Sequence, residues 1–364
     1  MYGMERAGSG RTTARRGGLS PARGWSYNIV MFKILLTALT AFAIVWLLGP
    51  LFIPMLHRLK FGQIERELGP ESHKKKQGTP TMGGIMTMLA ILVASLLFGL
   101  DGMEFVMPSL LVMFAFGLLG FLDDFIKIHR KSNLGLRAYQ KLFVQIVIAV
   151  LVAVWAYRSP LIGPSLYLPI SGGEWDIGGW YIPLVAFVMV AEVNAVNLTD
   201  GLDGLATNVT MVYALFMIGI FAVMTTRSNQ NGELLLATNF GGMAIFCAAI
   251  VGASIGFLRF NTYPAQVFMG DTGSLALGGA VSMIAILSRS LLILPVMGFC
   301  FLASALSVVL QVASNHLNHG KRIFKMAPIH HHFELKGVPE PRIVVMYTIL
   351  TTVLCAICLL PYLG

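Results

Sequence analysis

Long apolar runs recur along almost the whole chain, and this repetition constrains the fold more than any other feature. A helix needs about 20 mainly apolar residues to cross the hydrocarbon core of a bilayer. Only 12% of the 364 residues are charged, about half the share that is usual in soluble domains. Hydropathy predicts ten spans in an all-α polytopic membrane protein, at about 32–56, 82–100, 105–126, 140–157, 182–198, 205–225, 239–258, 271–287, 291–317 and 342–362.

Residues 1–30 differ from the rest of the chain. They are rich in Arg, Gly and Ser and contain no long apolar run. A segment of this composition buries too little apolar surface to fold alone. We interpret 1–30 as an added or disordered leader, dispensable for insertion and turnover, and 31–364 as a single integral membrane domain.

Basic residues are concentrated in three loops, 57–81, 127–141 and 318–342. The positive-inside rule places these loops in the cytoplasm and both ends of the native chain outside. The outer segment 161–181 has short apolar alternation around Gly-Gly pairs and predicts a small periplasmic β-hairpin. Because membrane orientation explains the net charge of +9, we predict no nucleic-acid partner.

Acidic residues follow three of the apolar runs, all on the predicted cytoplasmic side. Asp123 and Asp124 close the third span, Asp200 and Asp203 follow the fifth, and Asp271 follows the seventh. Ionised carboxylates at a membrane boundary are costly, which favours a functional role over a simple turn or helix cap. Together they predict one cytoplasmic-face site that holds a hard divalent cation such as Mg²⁺ against phosphates.

Cationic and polar groups accompany these acids on the same side. Three lysines at 74–76 precede a Gly- and Thr-rich stretch, and three consecutive histidines occupy 330–332. Imidazoles can bind metals, act as acids or bases, or donate hydrogen bonds to phosphate. The combination predicts phosphoryl transfer between a nucleotide-activated donor and a lipid phosphate, with a cation transporter as the rival interpretation.

Five ordered segments carry a family resemblance: KKKQGTPTMGG (74–84), GFLDDFIK (120–127), NAVNLTDGLDGLA (194–206), NTYPAQVFMGDTGS (261–274) and APIHHHFELKG (327–337). Together they resemble the phospho-N-acetylmuramoyl-pentapeptide transferases, or translocase I family. These belong to the polyprenyl-phosphate N-acetylhexosamine-1-phosphate transferases. The resemblance extends from about 31 to 364, and only the leader departs from it.

The resemblance implies transfer of phospho-N-acetylmuramoyl-pentapeptide from its UDP donor to undecaprenyl phosphate. The products would be lipid I and UMP, with Mg²⁺ required, in the first membrane step of bacterial peptidoglycan synthesis. It also implies a ten-helix homodimer in the bacterial plasma membrane that nucleoside antibiotics inhibit. The alternatives are a transferase that uses UDP-N-acetylglucosamine and, in a different class, an ion or lipid transporter.

The resemblance also assigns roles by motif position. Asp271 would ligate Mg²⁺, and Asp123, Asp124 and His330 would join it as catalytic residues. Residues that would bind substrate are Lys76, Thr81, Lys127, Asn197, Asp200, Asp203, Asn261, Phe268, Gln311 and His331, with Phe268 stacking on uracil.

The sequence leaves two points of mechanism open. The lipid phosphate can attack directly, or an aspartyl intermediate can form first. Direct attack is the simpler expectation, since a metal-bound pyrophosphate needs mainly positioning and charge neutralisation. Within that scheme we expect Asp123 to be the base and Asp124 to lie nearer the metal.

Overall fold

The computed structural model describes residues 22–59, 78–130, 135–168, 173–317 and 322–363, with side chains from Ile29 onward. Nearly all of this part of the chain is helical. The helices are α1 (Ala22–Arg58), α2 (Gly84–Phe98), α3 (Met103–His129), α4 (Ala138–Arg158), α5 (Tyr181–Thr199), α6 (Leu205–Gln230), α7 (Leu234–Asn261), α8 (Gly270–Leu287), α9 (Leu294–Met297), α10 (Phe299–Leu317), α11 (Ile329–Glu334) and α12 (Glu340–Leu363).

Within the described residues, nine helices are long and apolar enough to cross a membrane, so the chain is a multi-pass membrane protein. The predicted count of ten differs at α2, which is apolar but has only 15 residues. At about 1.5 Å per residue it is shorter than a hydrocarbon core of about 30 Å. The helix stops early because a 3₁₀ turn, Leu100–Gly102, follows Gly99 directly.

The first and ninth predicted spans also differ from the structure. Helix α1 begins at Ala22, so the first helix includes residues 22–30 of the predicted leader; no Gly or Pro follows Gly24 before Met31 to stop it. The remainder of the predicted leader, 1–21, lies outside the described residues. The ninth span is divided into α9 and α10 at Gly298, with Pro295 in the first turn of α9.

Helix α8 forms the centre of the bundle, and every residue from Thr272 to Leu287 is buried. Glycines on α8 and on its neighbours allow the helix backbones to approach one another closely. A Cβ on Gly120 of α3 would overlap the backbone carbonyl of Asp271, and one on Gly278 of α8 would lie 2.7 Å from Val193 Cα of α5. Small residues at such contacts are typical of helix packing in membranes. This packing brings the acid-bearing ends of α3, α5 and α8 together.

The outer helices have the opposite character. Helices α1, α4, α10 and α12 expose large apolar side chains, including Leu51, Leu151, Val309 and Leu360. Exposed apolar surface on this scale would be unfavourable in water. These faces are therefore the ones that contact lipid.

Two short strands lie in the segment predicted as a hairpin. Strands β1 (Ser165–Leu168) and β2 (Gly173–Asp176) pair antiparallel, with Leu166 opposite Trp175. Arg289, just beyond the C-terminal end of α8, pairs through Nη1 with Glu174 Oε1 at 2.6 Å. Its backbone carbonyl accepts a hydrogen bond from the Tyr167 N–H at 3.0 Å. The strands are thus attached to the end of α8 opposite Asp271.

We expect Gly120→Ala to destabilise the protein, because its new Cβ would collide with the α8 backbone. Overpacking of this kind costs about 1–3 kcal/mol. The matched control is Gly241→Ala in α7, where a Cβ would meet nothing within 4 Å. Thermal unfolding in detergent should show a lower midpoint for Gly120→Ala only. Equal midpoints for the two variants would contradict the close approach of α3 and α8.

Candidate active site

Three carboxylates meet where the C-terminal part of α3 approaches the first turn of α8. One oxygen each from Asp123, Asp124 and Asp271 lies within 4.8 Å of the others. Asp123 and Asp124 are buried, and Asp271 is 19% exposed. The structure therefore brings together two acid clusters that are nearly 150 residues apart in the sequence.

Two lysines join these carboxylates. Lys127 Nζ lies 2.6 Å from Asp123 Oδ2 and 2.8 Å from Asp271 Oδ2. Lys141 Nζ, from the first turn of α4, lies 2.9 Å from Asp271 Oδ2 and 3.4 Å from Asp123 Oδ2. Lys127 was predicted as a site residue. Lys141 was missed, because in the sequence it is one more basic residue in a loop that orientation already explains.

Asp124 is held by the start of α8. Its Oδ2 accepts hydrogen bonds from the Thr272 backbone N–H at 2.9 Å and from Thr272 Oγ1 at 2.8 Å. Helix N-termini favour such anionic partners. A Cβ on Gly270 would lie 2.6 Å from Thr81 Oγ1 and 2.7 Å from Asp124 Oδ2, so predicted residue Thr81 lies at the same turn. Gly270 also has φ +74°, a conformation that favours glycine.

Asp123 is bound from the opposite side by the chain that enters α4. Its Oδ1 accepts a hydrogen bond from the Leu136 N–H at 2.7 Å. A Cβ on Gly135 would overlap that same carboxylate. The backbone at 135–136 therefore forms a wall against Asp123.

The end of α5 supplies the next predicted residues. Asn197 Nδ2 donates to Asp271 Oδ1 and to Ser274 Oγ, each at 2.8 Å. Asp200 follows α5 directly and is half-buried. Burial, with the nearby carboxylates of Asp271, Asp124 and Asp203, raises the pKa of Asp200 well above its usual range.

Two of the three histidines lie beside Gly201, the residue that follows Asp200. His330 and His331 are buried in α11, with ring centroids 4.3 Å apart. A Cβ on Gly201 would overlap His330 Nε2 and lie 3.1 Å from His331 Nε2, so only glycine leaves room beside Asp200. His331 Nδ1 lies 3.0 Å from Glu334 Oε2. The third, His332, accepts a hydrogen bond from the Lys325 N–H at 3.1 Å instead.

Three other predicted residues use their side chains to hold loops. Asp203 Oδ2 accepts from the Ala265 N–H at 3.0 Å, and Asn261 Nδ2 donates to the Val267 carbonyl at 3.0 Å. Gln311 Oε1 accepts from the Phe324 N–H at 2.9 Å, and Gln311 Nε2 donates to the Phe324 carbonyl at 3.2 Å. These contacts support the loops that carry Phe268 and the histidines.

Phe268 is half-buried, and its backbone joins two loops. Its N–H donates to the Pro80 carbonyl at 2.8 Å, and its carbonyl accepts from the Gly83 N–H at 2.9 Å. The Gly- and Thr-rich stretch before α2 is therefore attached to the loop before α8. Lys76, predicted for the same region, lies outside the described residues.

Glu340 was also not predicted as a site residue from the sequence. It is buried at the start of α12, and its Oε1 accepts a hydrogen bond from the Asp203 N–H at 2.6 Å. Because Asp203 in turn accepts from Ala265, this carboxylate links α12 to two loops of the site. The only sequence signal was an acid next to the last apolar run.

The arrangement fits a hard divalent cation. Carboxylate oxygens are the ligands that Mg²⁺ prefers. Three carboxylates against two ammonium groups leave one net negative charge, and a divalent cation would reverse that sign. A site of net positive charge, lined by lysine N–H donors, suits a diphosphate.

Comparisons with known proteins point to the same chemistry. Residues 106–289 match the family described as glycosyl transferase family 4. A phospho-N-acetylmuramoyl-pentapeptide transferase of Clostridium kluyveri is 45% identical over 327 residues, which cover 90% of this chain and 98% of the relative. Proteins of the same name are 48% identical in Clostridioides difficile, over 87% of this chain and 94% of the relative, and in Halalkalibacterium halodurans, over 86% and 93%.

We expect Glu340→Ala to destabilise the protein, because it leaves the buried Asp203 N–H without this acceptor. An unsatisfied buried donor costs about 1–3 kcal/mol. Glu340→Gln keeps an acceptor oxygen at the same place and serves as the matched control. Thermal unfolding of both purified variants checks this expectation. A loss of stability in the Gln variant equal to that in the Ala variant would show that the hydrogen bond is not the cause.

Proposed function

The chain belongs to the phospho-N-acetylmuramoyl-pentapeptide transferase family, and we propose that its carboxylate cluster carries out that transfer. The donor in this proposal is the UDP-linked sugar pentapeptide and the acceptor is undecaprenyl phosphate. The products are lipid I and UMP, in the first membrane step of peptidoglycan synthesis. The observation that carries the proposal is the set of three carboxylates within 4.8 Å, bridged by two lysines, at the ends of two membrane-spanning helices.

Asp271 would hold Mg²⁺ in this proposal, with Asp124 nearer to the ion than Asp123. When bound, the ion would supply positive charge to the phosphates of the donor. The support is the oxygen-only donor set and its small separation.

The residues around the cluster orient these acids. Thr272 holds Asp124 through two hydrogen bonds, and Asn197 holds Oδ1 of Asp271. Lys127 and Lys141 keep Asp123 and Asp271 together, and their remaining N–H groups can donate to phosphate oxygens. Positioned donors of this kind stabilise charge without reorganisation during the reaction.

Asp123 is the proposed base. It removes the proton from the acceptor phosphate, whose oxygen then attacks the phosphorus that bears the sugar. The bond from this phosphorus to the bridging oxygen breaks, and UMP leaves with that oxygen. Asp124 stays bound to Thr272 throughout, which suits a residue that positions rather than moves a proton.

The nucleotide would bind on the side of Asp200, His330 and His331. Gly201 brings these residues together, and the backbone of Phe268 is fixed by two hydrogen bonds. The half-buried ring of Phe268 would then stack on uracil. Nucleoside antibiotics would compete for the same surface.

The proposed orientation places the acid end of α8 in the cytoplasm of a bacterial cell, at the plasma membrane. Strands β1 and β2, attached to the other end of α8, then lie in the periplasm, and both termini of the native chain face outward.

We also propose a homodimer. The donor is the muramoyl pentapeptide rather than UDP-N-acetylglucosamine, since the relatives are named for the former.

The direct test offers purified protein each of the two UDP-sugars together with undecaprenyl phosphate and Mg²⁺. Release of UMP is followed over time. Release of UMP from the muramoyl-pentapeptide donor alone supports the proposal. Release of UMP from UDP-N-acetylglucosamine would identify that sugar nucleotide as the donor instead. No UMP from either donor would favour a transporter.

We expect Asp271→Asn to lower turnover by about 10²-fold or more while the protein stays folded, because the amide keeps the shape but loses the anion. The matched control is Asp101→Asn, an exposed acid that pairs with Lys33 away from the site. Turnover is measured across a Mg²⁺ titration, with gel filtration as the check on folding. A near-normal turnover of Asp271→Asn at ordinary Mg²⁺ concentrations would show that Asp271 is not a principal ligand of the ion.

The two acids of α3 should respond differently to pH. If Asp123 only deprotonates the acceptor, the turnover of Asp123→Asn should recover at high pH. The second proton of a phosphomonoester has a pKa of about 6, so it is already lost there. Asp124→Asn should stay impaired at every pH, since raised pH does not restore the negative charge that the carboxylate places at the start of α8. The measurement is a pH–rate profile of each variant.

Direct attack also predicts that no covalent intermediate forms. Wild-type protein incubated with labelled donor, without acceptor, should carry no label. Labelled protein that undecaprenyl phosphate discharges at a competent rate would establish an aspartyl intermediate instead.

A further inference from the structure

An amide pair joins α4 to α5 within the segments of the two helices that can cross the membrane. Asn194 Nδ2 donates to Gln145 Oε1 at 2.7 Å, and Gln145 Nε2 donates to Asn194 Oδ1 at 3.4 Å. Gln145 is buried and Asn194 is half-buried. Asn194 Nδ2 also donates to the carbonyl of Val190, one turn earlier on α5, at 2.7 Å. This bond orients the Asn194 amide, so α5 presents Gln145 with a partner in a defined place.

Helix α4 packs mainly against α5, through side chains that are mostly small. Its buried residues other than Gln145 are all apolar: Ala149, Val152, Ala153 and Ala156. Apolar contacts are non-directional, so they do not by themselves fix one depth or rotation of the helix. Gln145 is the only buried polar side chain among residues 138–158, all of which the structure describes. The amide pair is therefore the directional contact between α4 and α5 inside the membrane.

The amide pair is close in sequence to two side chains that hold Asp271. On α4, Gln145 follows Lys141 by four residues, and on α5, Asn194 precedes Asn197 by three. Both spacings place the two side chains on one face of a helix. Lys141 Nζ lies 2.9 Å from Asp271 Oδ2, and Asn197 Nδ2 donates to Asp271 Oδ1 at 2.8 Å. The two helices are thus joined twice on the same faces, once by the amide pair and once through Asp271.

An amide pair inside a membrane selects one register of the two helices. A shift of one residue turns the face of a helix by about 100°, which would direct Gln145 away from Asn194. Both amides would then lie in an apolar environment without this partner, which is costly. The same shift would withdraw Lys141 from Asp271, because Lys141 and Gln145 share a face of α4.

We propose that Gln145 and Asn194 are positioning residues, which set the depth and rotation of α4 so that Lys141 reaches the carboxylate cluster. This inference rests on the proposed function, in which Lys141 holds the acids and donates to phosphate oxygens. The pair acts through Lys141 and not on the substrate, since its hydrogen bonds are to each other and to Val190. A displacement of about 1 Å in a catalytic group can lower a rate by about 10²-fold.

The first experiment measures kcat and KM of the full-length protein by UMP release, for Gln145→Leu and Asn194→Leu. Each variant should lower kcat by about 10- to 100-fold, the size of effect expected from a small misplacement. The KM for the nucleotide donor should stay near that of wild type, because a contact made only in the transition state contributes to kcat. The matched control is Asn239→Leu, a buried amide at the opposite end of α7 from the loop before α8, which should keep kcat near that of wild type.

The double variant, with both Gln145→Leu and Asn194→Leu, separates positioning from stability. A single Leu leaves the other amide without its partner and should lower the unfolding midpoint. Replacing both amides by apolar side chains should restore most of that midpoint, since no polar group is then left unpaired. Turnover of the double variant should nevertheless stay low, because no directional contact then fixes α4. A double variant that regains turnover together with stability would show that the pair only stabilises the fold.

Two further variants test the route through Lys141. Gln145→Asn with Asn194→Gln keeps both amides and their combined length, so it should recover most of the lost turnover. In a Lys141→Met background, adding Asn194→Leu should lower kcat no further, because the two changes remove the same contribution. Losses that multiply in this background would show that the pair does not act through Lys141, and would overturn the proposal.

A measurement without turnover reports the position of Lys141 directly. Full-length protein is treated with an amine-acylating reagent, and the modification of each lysine is followed by mass spectrometry. Lys141 is held by Asp123 and Asp271, so it should react slowly in wild type and several-fold faster in the single and double Leu variants. Exposed Lys336 is the reference, and its rate should not change.

The labelling result separates this inference from the proposed function. Equal labelling of Lys141 in wild type and in the Leu variants would overturn the inference, as would unchanged kcat in both single variants. A raised KM for either substrate with normal kcat would instead assign the amides to substrate binding. If wild type releases no UMP but Lys141 is protected only when the amide pair is intact, the proposed transfer is refuted while the placement of α4 by the pair is supported.

Discussion

The close contact of α3 with α8 is the constraint on which the rest of the site depends. Gly120 lets the α3 backbone reach the carbonyl of Asp271, where any side chain would intervene. One turn later, Asp124 binds Thr272 at the start of α8 and sets the register of the two helices. With that register, Asp123 and Asp124 face Asp271. A shift of one turn, about 5 Å, would separate them.

Buried carboxylates are costly near a membrane, and this protein offsets the cost with nearby cations and hydrogen-bond donors. Lys127 and Lys141 each contact two acids of the cluster, while Asn197, Thr272 and the Leu136 N–H donate to three further carboxylate oxygens. The site is thus organised before a ligand arrives. Preorganised donors and charges are the main requirement for phosphoryl transfer, in which little covalent chemistry falls to the protein.

The second layer of the site consists of loops joined by side chains from distant parts of the chain. Glu340 holds Asp203, Asp203 holds Ala265, and Gln311 holds Phe324. Several residues that the family resemblance assigns to substrate binding have their side chains engaged in this way. These side chains support the loops that carry Phe268 and the histidines.

Local properties were readable from the sequence. Hydropathy located the membrane helices, because burial in lipid depends on the apolar character of each segment by itself. The acid clusters were conspicuous for the same reason, and the ordered motifs indicated the family that the relatives show. The tertiary structure decided the early start of α1, the shortness of α2, the break at Gly298 and the roles of Lys141, Thr272 and Glu340. The contacts of Lys141, Thr272 and Glu340 in the site join residues up to about 150 positions apart in the sequence. No local sequence pattern encodes which distant backbone a side chain will contact once the helices have packed.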